Sequence, residues 1–190
     1  MKIRYSFLLL AVLATPAFCG EYSLRLTPDN TRIEWILNSA LHTIHGSFEL
    51  KRGSIKFDPD SGKASGEVVV ETTSGESGSG PRDRRMHKSI LESSKYPEAV
   101  FTPDRIEGKL AMPGTSILKL HGMFRIQGVD HEITTDVQAK VALDRVTAEI
   151  TFDVPYVAWG MKNPSTLILK VDKKVQLAIH AETPLEPPLP

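Results

Sequence analysis

His42 and His45 form the one His-x-x-His pair in this chain, so metal chemistry is the first reading to weigh. Residues three apart on a continuous strand point to opposite faces, and a shared ion therefore needs a turn or a helix between them. No acidic residue adjoins the pair, and the single cysteine, Cys19, lies in the N-terminal segment. A metal-dependent hydrolase centred on these histidines is the weakest reading. Ser79 and Ser89 near His87 supply the residue types of a nucleophile and a base, without a nucleophile motif or an orienting partner. His121, His131 and His180 fall in separate segments and read as hydrogen-bonded or exposed side chains. The expectation is a protein that is not an enzyme, with no catalytic residue, metal or cofactor.

Recognition is better provided for. Arg82 carries a planar fork that suits either an anionic head group or a structural bond to a carboxylate or carbonyl, and both uses are open. Trp35, Phe48, Phe57, Phe101, Phe124, Phe152 and Trp159 fall in strand-like segments or at their ends. Each can pack a core, and a subset can line a tunnel for an apolar ligand. The ligand-binding candidates are Ile33, Trp35, Leu37 and Phe48 from the first half, Arg82, Met86 and Ile90 from a helix, and Phe101, Met123, Phe124, Ile150, Phe152 and Trp159 beyond it. A slip of one residue exchanges the faces of a strand, so alternation leaves the inward set open.

The elements that must position these residues are mostly strands. Ile33, Trp35 and Leu37 alternate with Arg32, Glu34 and Ile36, and Phe48 and Leu50 continue the same period, with Gly53 marking a bulge before Ile55 and Phe57. Asp58 to Gly62 has the composition of a tight turn, and a strand follows from Gly66 to Thr72. Ser- and Gly-rich Thr72 to Gly80 predicts a mobile loop. Pro81 suits a first helical position and Asp83 its first turn. Met86 and Ile90 share a face with Leu91 adjoining, and could seal or simply plug the fold, while Pro97 marks the helix end. Later strands are predicted over Ala99 to Ile106, Ser116 to Gln127, His131 to Val141, Val146 to Tyr156 and Leu167 to Ala181. The fold class is all-β with one short helix, an antiparallel barrel of about eight strands.

The ends bound the setting. Lys2 and Arg4 precede an apolar run from Tyr5 to Ala14 that is too short to span a bilayer, and Ala17-Phe18-Cys19 offers a cleavage site. Residues 1–19 thus read as a signal peptide, 20–182 as the barrel and 183–190 as a proline-rich tail. A lipid-modified Cys19 is disfavoured by the bulky Phe18 before it. A chain cut after Cys19 carries no cysteine and two acids in excess, which predicts a periplasmic or secreted protein without disulfides. The near-neutral balance gives no general reason to expect nucleic acid or an anionic membrane as a partner, and no later segment is long and apolar enough for stable membrane insertion. A homodimer is left open.

These segments resemble the YceI-like family. The similarity is carried by Arg82-Asp83 opening a helix, by Tyr96-Pro97 and Phe101, by His42 to Phe48 with its Gly46-x-Phe48 pattern, and by Leu120 to Ile133 as strand, tight turn and return strand. Glu71 to Gly80 is richer in glycine than the family's usual sequence, and Tyr156 to Ser165 replaces an Arg-x-x-Phe-Gly segment. The resemblance implies a lipocalin-like barrel that binds a polyisoprenoid or other long-chain amphipathic lipid.

Overall fold

The computed structural model describes residues 20–166 and 170–186. The predicted signal segment, the predicted strand start at Leu167 and residues 187–190 lie outside them. Among the described residues nine strands are present: β1 Tyr22–Leu26, β2 Thr31–Asn38, β3 Thr43–Phe57, β4 Ala64–Glu76, β5 Glu98–Glu107, β6 Gly114–Ile126, β7 Val129–Ala142, β8 Arg145–Val154 and β9 Val175–Glu186. A helix, α1 Gly80–Arg85, continues as a π-helical turn, Met86–Leu91, between β4 and β5.

Each strand pairs antiparallel with its neighbours, and β3 and β9 close the ring through the first two strands. β1 covers Gly53–Phe57 of β3, while β2 covers Thr43–Phe48 of the same strand. β1 and β2 therefore share one stave, interrupted where Asn30 Oδ1 accepts from the Thr27 N–H at 2.8 Å and Asn30 Nδ2 donates to the Arg25 carbonyl at 3.0 Å. The result is a closed eight-stranded antiparallel barrel with one short helix, as the alternation predicts.

Local differences from the sequence reading have physical causes. The bulge in β3 falls at Lys51, between the Leu50–Val70 and Arg52–Val69 pairings, not at Gly53. It shifts the parity of the strand so that Phe57 faces inward together with Leu50. Gly53 is bare for another reason: a Cβ there would lie 2.8 Å from Leu26 Cβ. Thr72 to Glu76 is not a loop but the bulged end of β4. Ser74 fills the gap in the ladder, accepting from the Glu49 N–H at 2.7 Å and donating to the Glu71 carbonyl at 2.6 Å. Gly75 here marks a close approach, because a Cβ would meet Phe48 Cε1 at 2.4 Å and Met86 Cε at 2.9 Å.

The helix stops at Leu91, well before Pro97, with Glu92 left-handed at φ 49°. At the other terminus, β9 runs on through Pro184 to Glu186 where the composition predicts a tail from Thr183. Thr183 is buried and donates to the Arg25 carbonyl at 2.8 Å, and Leu185 packs into the core. Proline is tolerated near the end of a strand, where a missing N–H costs little.

Apolar packing divides along the axis. Phe57, Leu118, Val141, Val146 and Leu185 fill the end opposite the helix. At the helix end, Leu91, Phe124, Val154, Tyr156 and Met161 form a second cluster, with Met86 and Ile90 packed against it.

Candidate functional site

Between these two ends the barrel is hollow, with Leu26, Ile33, Leu50 and Ala181 packed together as a third cluster. A cavity of about 610 Å³ runs from Leu24, Phe57 and Ile106 to the helix, within the roughly 300–1,000 Å³ of small-molecule sites. Its wall is apolar almost throughout: Ile33, Trp35, Leu37 and Phe48 come from β2 and β3, Phe101 and Phe124 from β5 and β6, and Ile150 and Phe152 from β8. Several of these side chains are only half-buried although they point inward, because they face empty space. Trp35 lies across the bare backbone of Gly46, where a Cβ would come within 2.3 Å of the indole. Among the residues of the wall, only Pro81 and Arg85 are exposed, and both sit on α1, so the cavity opens at the helix.

The helix closes most of that end. Arg82, Met86 and Ile90 line the cavity as the period predicts, and the wider π-helical turn brings Leu91 to it as well. Arg82 uses its fork structurally: Nε donates to Ser77 Oγ at 2.7 Å and Nη2 to the Ser77 carbonyl at 2.8 Å, while Ser77 Oγ donates to the Asp83 carboxylate. Arg85, which a 3.6-residue period sends to the solvent face, lies at the cavity mouth.

His87 pairs with neither Ser79 nor Ser89. Its Nε2–H donates to the Gly75 carbonyl at 2.8 Å, and Nδ1 accepts from Ser93 Oγ at 3.0 Å. Ser93 is 3 % exposed and absent from the cavity wall, so this serine–histidine pair has no route to a substrate. It latches the π turn onto β4. His87→Ala leaves Ser93 and the Gly75 carbonyl without these partners, and is expected to lower stability by about 1–3 kcal/mol in urea unfolding.

Two predicted wall residues stand elsewhere. Met123 adjoins inward-facing Phe124 on β6 and is 41 % exposed on the outer face. Trp159 stacks on His131 with centroids 4.0 Å apart and planes 8° from parallel, held outside the cavity wall. Burial holds the His131 pKa below its ordinary value, which favours the neutral ring in that stack. In the same loop Tyr156 lines the cavity and donates its hydroxyl to the Asp172 carbonyl at 2.6 Å. Its pKa is pushed up to about 12, mainly by burial. Tyr156 and Met161 are wall residues outside the candidate set: Tyr156 ends the predicted strand in phase with Ile150 and Phe152, although β8 itself stops at Val154, and Met161 lies beyond the reach of alternation.

Away from the cavity, His42 and His45 are both exposed. Among the described residues no group of three or more His, Cys, Asp or Glu is placed to hold a metal. His121 is the histidine in the most polar setting. Its Nδ1 lies 2.6 Å from Asp104 Oδ1 and its Nε2 2.8 Å from Glu132 Oε1, Asp104 being the bulged residue of β5. Ionised carboxylates only accept, so this pair of contacts favours the imidazolium, in which both nitrogens donate. Asp104 first and Glu132 second raise its pKa above the ordinary 6.5. A raised folded value means the stabilisation is complete below the unfolded value and disappears as pH rises through the folded one. The urea midpoint is expected to show a modest fall across that window, since the carboxylates are 53 % and 72 % exposed, and His121→Gln should flatten it.

The barrel, its single helix and its end-opening cavity can be compared with known proteins. The YceI-like domain model matches residues 24–183, nearly all of the described chain. The chain belongs to the YceI-like family. A polyisoprenoid binding domain from Saccharophagus degradans, implicated in plant cell wall breakdown, has a similar fold at TM-score 0.66 and 15 % identity, covering 86 % of this chain and 98 % of that one. BcnA of Burkholderia cenocepacia is similar at TM-score 0.66 and 17 % identity, over 80 % of this chain and 96 % of its own. The Campylobacter jejuni YCEI protein follows at 0.63 and 18 %, over 76 % and 86 %. No curated protein sequence matches this chain. At such identities the shared property is the fold. Within this YceI-like barrel the wall residues and the helix mouth belong to this chain's own side chains.

Proposed function

We propose that this protein is exported and carries a polyisoprenoid or similar long-chain amphipathic lipid, with the tail in the barrel and the polar end at the helix mouth. The observation that carries the reading is the apolar cavity of about 610 Å³, open where Pro81 and Arg85 reach solvent. Covering apolar ligand surface contributes roughly 25 cal/mol per Å², and an extended tail offers enough area to outweigh its ordering cost. The free space argues against the alternative of a solid barrel serving only as a scaffold. The family membership and the likeness to a polyisoprenoid binding domain support the ligand class. The N-terminal basic and apolar pattern supports export.

On this reading the wall residues of β2, β3, β5, β6 and β8 grip the tail, and Arg85, with the remaining guanidinium nitrogen of Arg82, faces the head group. No bond is made or broken. Organic extraction of the purified protein followed by mass spectrometry should recover a prenyl lipid in near-stoichiometric amount. Recovery of none, together with no uptake of an added fluorescent prenyl probe, would sink the proposal.

A further inference from the structure

The chain is formally neutral, but several bases without a carboxylate partner gather at the cavity mouth. The helix, the β2–β3 and β6–β7 turns and the segment between β8 and β9 all lie at the cavity mouth, because they join the strand ends that flank it. On the helix, Arg84, Arg85 and Lys88 are without a carboxylate partner among the described residues, and the facing segment adds Lys162, Lys170 and Lys173 in the same condition. The acids of this end are partly committed: Asp83 accepts from Ser77 and Glu71 from Thr73, Glu98 holds Lys51, Asp130 holds Arg125 and Asp153 holds Lys174, while Glu76, Glu92 and Asp172 remain. The flanks differ, for there Lys51, Arg52 and Lys119 each meet a carboxylate.

Exposed apolar side chains share the basic end. Leu41 in the β2–β3 turn is 75 % exposed and Val129 at the β6–β7 turn 51 %. Toward the far end Met112, Ile117 and Leu143 are exposed as well, and Lys63, Lys109 and Lys140 have no ion pair among the described residues, so what distinguishes the helix end is the cavity opening between its bases. Unpaired bases ringing an apolar opening, with aliphatic side chains projecting beside them, match an anionic interface that is polar outside and greasy beneath. An acidic protein partner would use the charges and leave the opening unexplained.

We propose that the helix end of the barrel docks on the surface of an anionic lipid bilayer, cavity mouth toward the membrane. The inference rests on the lipid-carrier reading for its purpose, since a docked mouth lets a tail pass between bilayer and barrel without crossing water. It adds a partner and an orientation. Docking is superficial, as no helix among the described residues is long and apolar enough to cross a membrane.

Sedimentation with phosphatidylcholine vesicles, with and without phosphatidylglycerol, tests it. The full-length mature protein is expected to bind only the phosphatidylglycerol-containing vesicles and to be released by high salt. Arg84→Gln, Lys88→Gln and Lys173→Gln together, none of them in the cavity wall, should weaken binding about a hundredfold, each base near an anionic surface being worth about fivefold. The same number of changes on the flank, at Lys51, Arg52 and Lys119, should have little effect and reports on folding. Equal binding to both vesicles, binding to neither, or an undiminished triple variant would overturn the proposal. Uptake of a prenyl probe from detergent is measured alongside: vesicle binding without uptake supports docking and removes the carrier reading alone.

Discussion

Replacing Gly46 by valine is expected to destabilise the barrel by about 3 kcal/mol or more, or to prevent folding altogether. A Cβ at this position would stand 2.1 Å from the Glu76 carbonyl oxygen and 2.3 Å from two ring atoms of Trp35. Neither neighbour can yield. Glu76 is backbone in the ladder, opposite Ser47, and Trp35 is 4 % exposed and fixed as part of the cavity wall. Gly80→Ala is the comparison, because its new Cβ meets only the far end of the Arg84 side chain at 3.3 Å. That change should fall within about 0.5 kcal/mol of the parent. Urea unfolding of the two variants checks the pair, and a Gly46→Val protein with parental stability would show that the β2–β3 contact is looser than described.

The strands were legible because they obey the two-residue period wherever one face is buried. What the period does not carry is parity. Both Met123 and Phe124 are apolar and adjacent, so only one can face inward; Phe124 does, edge-on to Phe152 with centroids 6.3 Å apart. In β3 the bulge at Lys51 moves Phe57 to the inner face, and nothing in the charged Lys51-Arg52 pair announces it.

Glycine misled where it served close packing instead of motion. Gly75 has the composition of a loop, yet it is buried under Phe48 and Met86. The helix shows a similar limit. Its start followed from Pro81 and Asp83, whereas its end depends on His87, whose carbonyl accepts from the N–H groups of Glu92 and Ser93 while its ring engages Ser93 and Gly75. The π turn that results is a tertiary effect with no local signature. The same is true of charge, which sums to nothing in the sequence, while the bases without partners come together at the mouth only when the strands close.

Filling the lumen offers the sharpest separation of fold from function. Ala148 lies on β8 between Ala139 and Ala181 of the neighbouring strands, and its side chain faces the cavity. In Ala148→Phe the new ring would project into the cavity on the face that also carries Ile150 and Ile179. Burying such a side chain is worth about 1.5–3 kcal/mol before strain, so the variant is expected to be at least as stable as its parent. Lipid recovered by extraction should fall at least tenfold. Gln138→Phe, on the exposed face of β7, adds the same ring outside the barrel and should leave recovery unchanged. If the phenylalanine proves too large to fold around, Ile150→Trp makes the same test from the next inward position. A stable Ala148→Phe protein that still yields its full complement of lipid would place the ligand somewhere other than this cavity, since a ring and a prenyl tail cannot hold one volume at once.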